Sequence, residues 1–232
     1  MSGPRPQEMA REYLLAVRAG SDAAQHERRL ARLDRVELAE ALIDDDARKA
    51  LWIDVYNGAV QRHDIHTDAG MSKRLRHFRQ PIVTVAGRRL SLDAIEHGLL
   101  RRSRWRFGLG YLGNPRPSPF EGSHRVAQVD ARVHFALNCG AASCPPIAAY
   151  DAERVDRQLE QATHAYLRSE VERVDGAIAV PALLLWYIGD FGGPRGIRRL
   201  LRRHGIEGWG APIRFKRYDW TPAPDRWLAD ED

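Results

Sequence analysis

The chain has 232 residues, 44% hydrophobic and 29% charged, which excludes a disordered or low-complexity polypeptide and fits one sizeable domain, with or without a helical annex. Its net charge of +5 rests on 36 basic residues, of which only Lys49, Lys73 and Lys216 are lysines. No nucleic-acid-binding motif accompanies this arginine bias, and the densest basic run, Arg195 to Arg203, reads as the solvated face of a helix, so no nucleic-acid partner is expected.

Near the start, Arg11, Arg18 and Asp22 interrupt Tyr13-Leu14-Leu15, so no apolar core of signal-peptide length forms. No later stretch approaches the ~20 apolar residues of a membrane span. A cytoplasmic protein without a membrane span is the economical expectation. Residues 1–50 read as helical, with Leu30, Leu33, Val36, Leu38 and Leu42 at helix-like intervals.

The segment Ala47 to Arg62 predicts a stronger helix. Its apolar residues Leu51, Trp52, Val55, Tyr56, Ala59 and Val60 cover nearly every direction around the axis, which implies deep burial. Against them runs a polar stripe, Asp54, Asn57 and Gln61. Two readings stay open for it, an internal hydrogen-bond scaffold and the lining of a site. Just beyond, His63, His66 and Asp68 offer metal-type ligands, but a surface helix end accounts for them, and no metal site is expected.

Pro81 to Leu90 alternates around a Gly-containing turn and predicts a hairpin. Ser91 then suits the cap of a helix over Leu92 to Arg102. At 100° per residue, Ile95, Leu99, Leu92 and Leu100 share one arc, and Glu96 falls inside it, so its carboxylate must find a partner. His97 lies at the edge of that arc, beside Asp93 and Arg101. The stretch 103–128, rich in Gly, Pro, Arg and Ser, predicts a long loop. Within it Gly108-Leu-Gly110 opens no βαβ unit and is no dinucleotide fingerprint, and no cofactor is expected.

Arg132 to Asn138 predicts a short strand, with Val133, Phe135 and Leu137 on the core face and His134, Ala136 and Asn138 on the other. A turn follows from Cys139 to Pro146. Its small residues let Cys144 double back toward His134, where an imidazole promotes the nucleophilic thiolate. Cys139, ending the strand, reads as a small buried hydrophobe, whereas Cys144 reads as the accessible nucleophile. A disulfide between the two is sterically conceivable, but two cysteines make neither a disulfide framework nor a zinc site.

Downstream, Asp151 to Glu170 is amphipathic. A strand near Ala177 to Val180, a helix over Ala182 to Phe191, another over Gly196 to His204 and a closing strand, Ile213 to Trp220, complete the chain. Asp190-Phe-Gly192 matches a kinase triplet by chance, since no phosphate-binding loop accompanies it. Helices and short strands mix without a βαβ rhythm. The expected class is α+β, mixed helices packed on a small, largely antiparallel sheet.

Three ordered segments, Leu51 to Asn57, Leu90 to Arg101 and Val133 to Pro146, together with the ending Phe215 to Trp220, resemble the marks of the DUF547 family over about residues 50–220. The resemblance implies a cysteine-peptidase-like α+β arrangement and a Cys–His–Glu trio. By motif position these are Cys144, His134 and Glu96. Asn57 and His97 fall inside the shared motifs.

The expected organisation is a helical N-terminal extension over 1–46, a DUF547-like domain over 47–222 and a polar tail over 223–232. The expected function is a cysteine-dependent hydrolase or acyl-transferase-like enzyme acting on an amide, ester or thioester of a small-molecule or peptide substrate. Cys144 is its nucleophile, His134 its base and Glu96 the orienting acid, with Asn57, His97, Asn138 and Cys139 as binding residues. The alternative is a non-catalytic small-ligand or peptide binding module that keeps the same pocket. The oligomeric state stays open.

Overall fold

The computed structural model describes residues 4–63, 76–206, 210–224 and 226–228. His66 and Asp68 lie outside them. Four helices come first: α1 (Pro6–Arg18), α2 (Ala23–Ala31), α3 (Arg35–Ala41) and α4 (Asp45–Arg62). Acidic caps set three of their starts. Asp22 accepts from the Gln25 N–H, Asp34 from Val36 and Glu37, and Asp44 from Ala47. Helix α4 is buried on every face from Lys49 to Val60, as its all-round apolar pattern predicts. It packs closely on α1, where a Cβ on Gly58 would come within 2.5 Å of the Tyr13 ring.

The hairpin forms as β1 (Val83–Val85) and β2 (Arg88–Leu90), antiparallel, with Ala86 and Gly87 both at positive φ. Two left-handed turn residues match the right-handed twist of the strands. The next helix, α5 (Ala94–Leu100), is a π-helix. Its i→i+5 bonding shows in the Arg101 N–H donating to the Glu96 carbonyl at 2.9 Å. The 103–128 stretch holds one isolated bridge, Arg104 with Gly113, and the short helix α6 (Pro119–His124).

Residues expected as a strand, Arg132 to Asn138, are instead a 3-10 turn over Ala131–Phe135. Apolar alternation suggests a strand, but the Asp130 side chain accepts from the Arg132 N–H and starts a turn, and among the described residues no strand pairs with the segment. The backbone groups that a neighbouring strand would bind are taken by Asn57 of α4, which donates to the Ala136 carbonyl and accepts from the Asn138 N–H. After α7 (Val155–Glu170) come β3 (Glu172–Val174), β4 (Ala177–Val180), α8 (Leu183–Trp186), α9 (Gly193–Arg203) and β5 (Ile213–Phe215). The order β3-β4-β5 pairs β3 with β4 antiparallel and β4 with β5 parallel. The helix expected over 182–191 is the shorter α8, and the closing strand ends at Phe215.

The architecture is α+β, with many helices around two small sheets. Its buried apolar residues form two clusters. The first joins α1, α4, the hairpin and α5, through residues such as Tyr13, Trp52, Val85 and Leu99. The second joins α7, β4, α8 and α9, through Tyr166, Val180, Leu184 and Ile197. The 3-10 turn belongs to both, sending Val133 into the first and Phe135 into the second. His134 therefore sits on the seam. Among the described residues no helix is long and apolar enough to cross a membrane.

Candidate functional site

The cysteine loop is held from both sides by hydrogen bonds. Asn138 donates to the Pro145 carbonyl at 2.7 Å and accepts from the Gly140 N–H at 2.7 Å. Its own N–H reaches Asn57 Oδ1 at 3.0 Å, and Asn57 Nδ2 reaches the Ala136 carbonyl at 2.9 Å. Both amides are fully buried. Asp54, one turn earlier on α4, accepts the Tyr150 N–H, and burial raises its carboxyl well above the usual range. The polar stripe of α4 is thus a scaffold at Asp54 and Asn57. Asn57 and Asn138 do not line the cavity described below.

From the other side the chain's last described segment lies along the loop. Ala142 N–H donates to Thr221, Ser143 N–H to Asp219, and Ala223 N–H to Gly140. Arg226 donates to the carbonyls of Ala142 and Cys144. Ala223 and Arg226, expected in a polar tail, therefore help to shape the loop.

This covering reverses the expected exposure of the cysteines. Cys144 is 1% exposed and Cys139 is half-buried, because residues 219–223 and Arg226, remote in sequence, lie over the turn. The two sulfurs lie 2.7 Å apart as free thiols. The Cys139 N–H donates to Cys144 Sγ at 3.0 Å, and the Tyr218 hydroxyl stands 3.0 Å from Cys144 Sγ and 3.4 Å from Cys139 Sγ. Burial alone would push the Cys144 thiol up, but hydrogen bonds from Cys139, Tyr218 and nearby backbone N–H groups bring it down to about 7. Cys139 moves the other way, well above its ordinary value, because its thiol donates to Cys144 and is itself buried. One proton of the pair is easy to remove and the second is hard.

A cavity of about 390 Å³ opens beside this pair. Tyr56, Leu137, Leu183, Trp186, Tyr218 and Trp220 give it an apolar and aromatic wall. Cys139, Cys144, Glu96, His97 and His134 also line it. The expected trio thus shares one cavity, but its hydrogen bonds differ from expectation. His134 Nε2 pairs with Asp190 Oδ2 at 2.9 Å, whereas Glu96 Oε1 accepts from the Tyr187 hydroxyl at 2.6 Å. The Tyr187 ring stacks on His134, centroids 3.7 Å apart, so Glu96 reaches the imidazole through tyrosine.

Arg101 organises the charges. Its side chain is fully buried, donating from Nε to Asp190 Oδ2 at 2.6 Å and from a terminal nitrogen to His97 Nδ1 at 2.8 Å. Because arginine can only donate, His97 Nδ1 is the acceptor and His97 carries its proton on Nε2. Burial, with Arg101 and Arg106 nearby, lowers His97 to about 4, so it stays neutral and its lone pair is occupied. Its imidazole therefore has no lone pair left to accept a further proton. Burial also lowers His134, despite the bond to Asp190. That bond assigns the His134 proton to Nε2 and leaves Nδ1 as its basic nitrogen.

Burial penalises a charged Glu96, but His97, Arg101, His134 and the Tyr187 hydroxyl together hold its carboxyl below the usual range. With His97 neutral, Arg101 is the cation that matters. Asp93, partly buried on the same wall and paired with Arg106, is raised to about 6.

From the sequence Asp190 is read only as part of a chance triplet and Arg101 only as a neighbour of His97, and Tyr187 and Tyr218 are not placed at the site. Asp190 carried a usable signal, since a carboxylate between Tyr187, Ile188 and Phe191 needs a buried partner. Among the described residues no group of three or more His, Cys, Asp or Glu is arranged to hold a metal ion.

A family model described as "Protein of unknown function, DUF547" matches residues 41–167. No curated protein and no solved structure matches the chain.

Proposed function

The chain belongs to the DUF547 family, and from that premise we propose that it is a thiol-dependent hydrolase or acyl transferase of cysteine-peptidase-like arrangement. The observation that carries the reading is the Cys144 sulfur, lowered to about 7 by its hydrogen-bond donors, on the wall of a cavity it shares with His134. In this reading Cys144 Sγ attacks the carbonyl of an ester, thioester or amide. The C–S bond forms, the bond to the leaving group breaks, and the thiol proton passes through His134 to that group. His134 Nδ1 then takes a proton from water, or from an acceptor alcohol or amine, as it attacks the acyl-enzyme and frees the thiol.

Asp190 holds the imidazole in the tautomer that leaves Nδ1 basic, the place the resemblance implies for Glu96. Glu96 acts one step removed, fixing the Tyr187 ring that covers His134. A cytoplasmic setting, where thiols stay reduced, suits this chemistry.

The test is intact-mass detection of an acyl adduct with a panel of nitrophenyl esters, thioesters and short peptides. The expected result is an adduct on the parent that Cys144→Ala abolishes and Cys139→Ala retains. No adduct and no turnover with any probe would count against the enzyme. The 1% exposure of Cys144 favours a second reading, a non-catalytic module binding a small ligand or peptide in the same cavity. Ligand binding that survives Cys144→Ala, without turnover in the parent, would establish that reading instead.

A further inference from the structure

Half of the large apolar side chains that stand exposed on the described surface come from one eight-residue stretch. Trp105 (51% exposed), Phe107 (55%), Leu109 (47%), Tyr111 (56%) and Leu112 (55%) alternate with arginine and glycine. Such residues are ordinarily scattered singly, and a contiguous group marks a contact surface. The stretch is a structured projection. Trp105 N–H donates to the Leu112 carbonyl, closing the loop at its base, and Trp105 packs edge-on to Phe107 with ring centroids 5.8 Å apart. Its far side is seated on the core, because a Cβ on Gly110 would lie 2.6 Å from the Asp190 backbone nitrogen and the Gly189 N–H donates to Leu109.

Charge identifies the occupant. From His97 to Phe120 the chain carries Arg101, Arg102, Arg104, Arg106 and Arg116 and no acidic residue. Arg101 and Arg106 are used internally, paired with Asp190 and Asp93. Arg102 and Arg116 are exposed, and no ion pair of either is found among the described residues. Aromatic and aliphatic side chains flanked in the chain by unneutralised arginines are the chemistry of a surface that inserts rings at headgroup level and meets negative charge there. A neutral apolar partner would leave the arginines uncompensated.

We infer that residues 105–112 form a docking surface for an anionic lipid bilayer. Phe107 and Leu109 belong both to this surface and to the wall of the cavity, so a docked molecule holds the cavity beside the lipid. The inference does not depend on the thiol chemistry.

The experiment is co-sedimentation of the full chain with phosphatidylcholine vesicles, with and without phosphatidylglycerol, at low and high salt. Binding is expected to the anionic vesicles, weakened by salt. The variant Trp105→Ser/Tyr111→Ser/Leu112→Ser, none of which lines the cavity, is expected to lose affinity more than about tenfold. Separately, Arg102→Gln and Arg116→Gln each lower it about fivefold. The arginine variants keep the test decisive if the triple variant fails to fold, and thermal melts identify that case. No binding to anionic vesicles, equal binding to both vesicle types, or binding that survives the substitutions would overturn the inference. A loop-dependent dimer that ignores vesicles would overturn it in favour of a second copy of this chain.

Discussion

Two buried polar networks meet around the cavity, and they are built on opposite principles. The Asn57–Asn138 network is neutral, and both side-chain amides bind backbone on each of their polar ends. The Arg101 network is charged, holding Asp190, His134 and His97, and two of its buried atoms, one terminal nitrogen of Arg101 and Asp190 Oδ1, have no hydrogen-bond partner among the described residues. A satisfied neutral network fixes one backbone geometry and offers nothing to a ligand. A charged network with spare capacity is costly to bury and keeps groups whose protonation is tuned, which is the pattern of sites that do chemistry.

The comparison is broken most directly at Arg101. Arg101→Met leaves Asp190 as an uncompensated buried charge and is expected to cost about 3–5 kcal/mol in urea unfolding. Asn57→Ala strands the Ala136 carbonyl and the Asn138 N–H and is expected to cost about 2–3 kcal/mol in the same assay. If the asparagine variant costs as much as the arginine one, the distinction between the networks fails. Gly110→Ala, at φ +83° and against the Asp190 backbone, is expected to cost about 1–3 kcal/mol by the same measure.

The thiol pair gives a sharper, pH-resolved test. With its pKa lowered in the folded state, Cys144 holds its thiolate above about pH 7 and loses it as pH falls through that value. The rate of iodoacetamide labelling, located by peptide mass, is therefore expected to rise with a midpoint near 7 at Cys144, ahead of Cys139. Tyr218→Phe removes a donor to the sulfur and is expected to move that midpoint to higher pH. An unchanged midpoint would mean that the tyrosine does not hold the thiolate. The smallest effect belongs to the surface loop, where Trp105→Ser is expected to change stability by no more than about 0.5 kcal/mol.

Much of the frame was readable because it rests on local periodicity. Helix α4, the hairpin and the inward turn of Glu96 follow from apolar spacing over a few residues. The approach of Cys139 to Cys144 follows from a short, small-residue loop. The 3-10 turn misled because alternation specifies a strand only where another strand supplies partners, and here an asparagine on a distant helix supplies them. The exposure of the cysteines was inverted for a similar reason, since Asp219 and Arg226 cover a turn some eighty residues earlier. Asp190 went unrecognised because its partners, Arg101 and His134, are brought to it by packing between two apolar clusters.

The π-helical bonding of α5 carries a consequence for what can be changed there. Its wide turn stacks Arg101 one full revolution above Glu96, with the Arg101 N–H on the Glu96 carbonyl. An ordinary α-turn, reaching only four residues ahead, would seat Leu100 in that place. Drawing this turn back to α-helical bonding at constant length would exchange a cation for a hydrocarbon above the acid and pull the guanidinium away from His97 and Asp190.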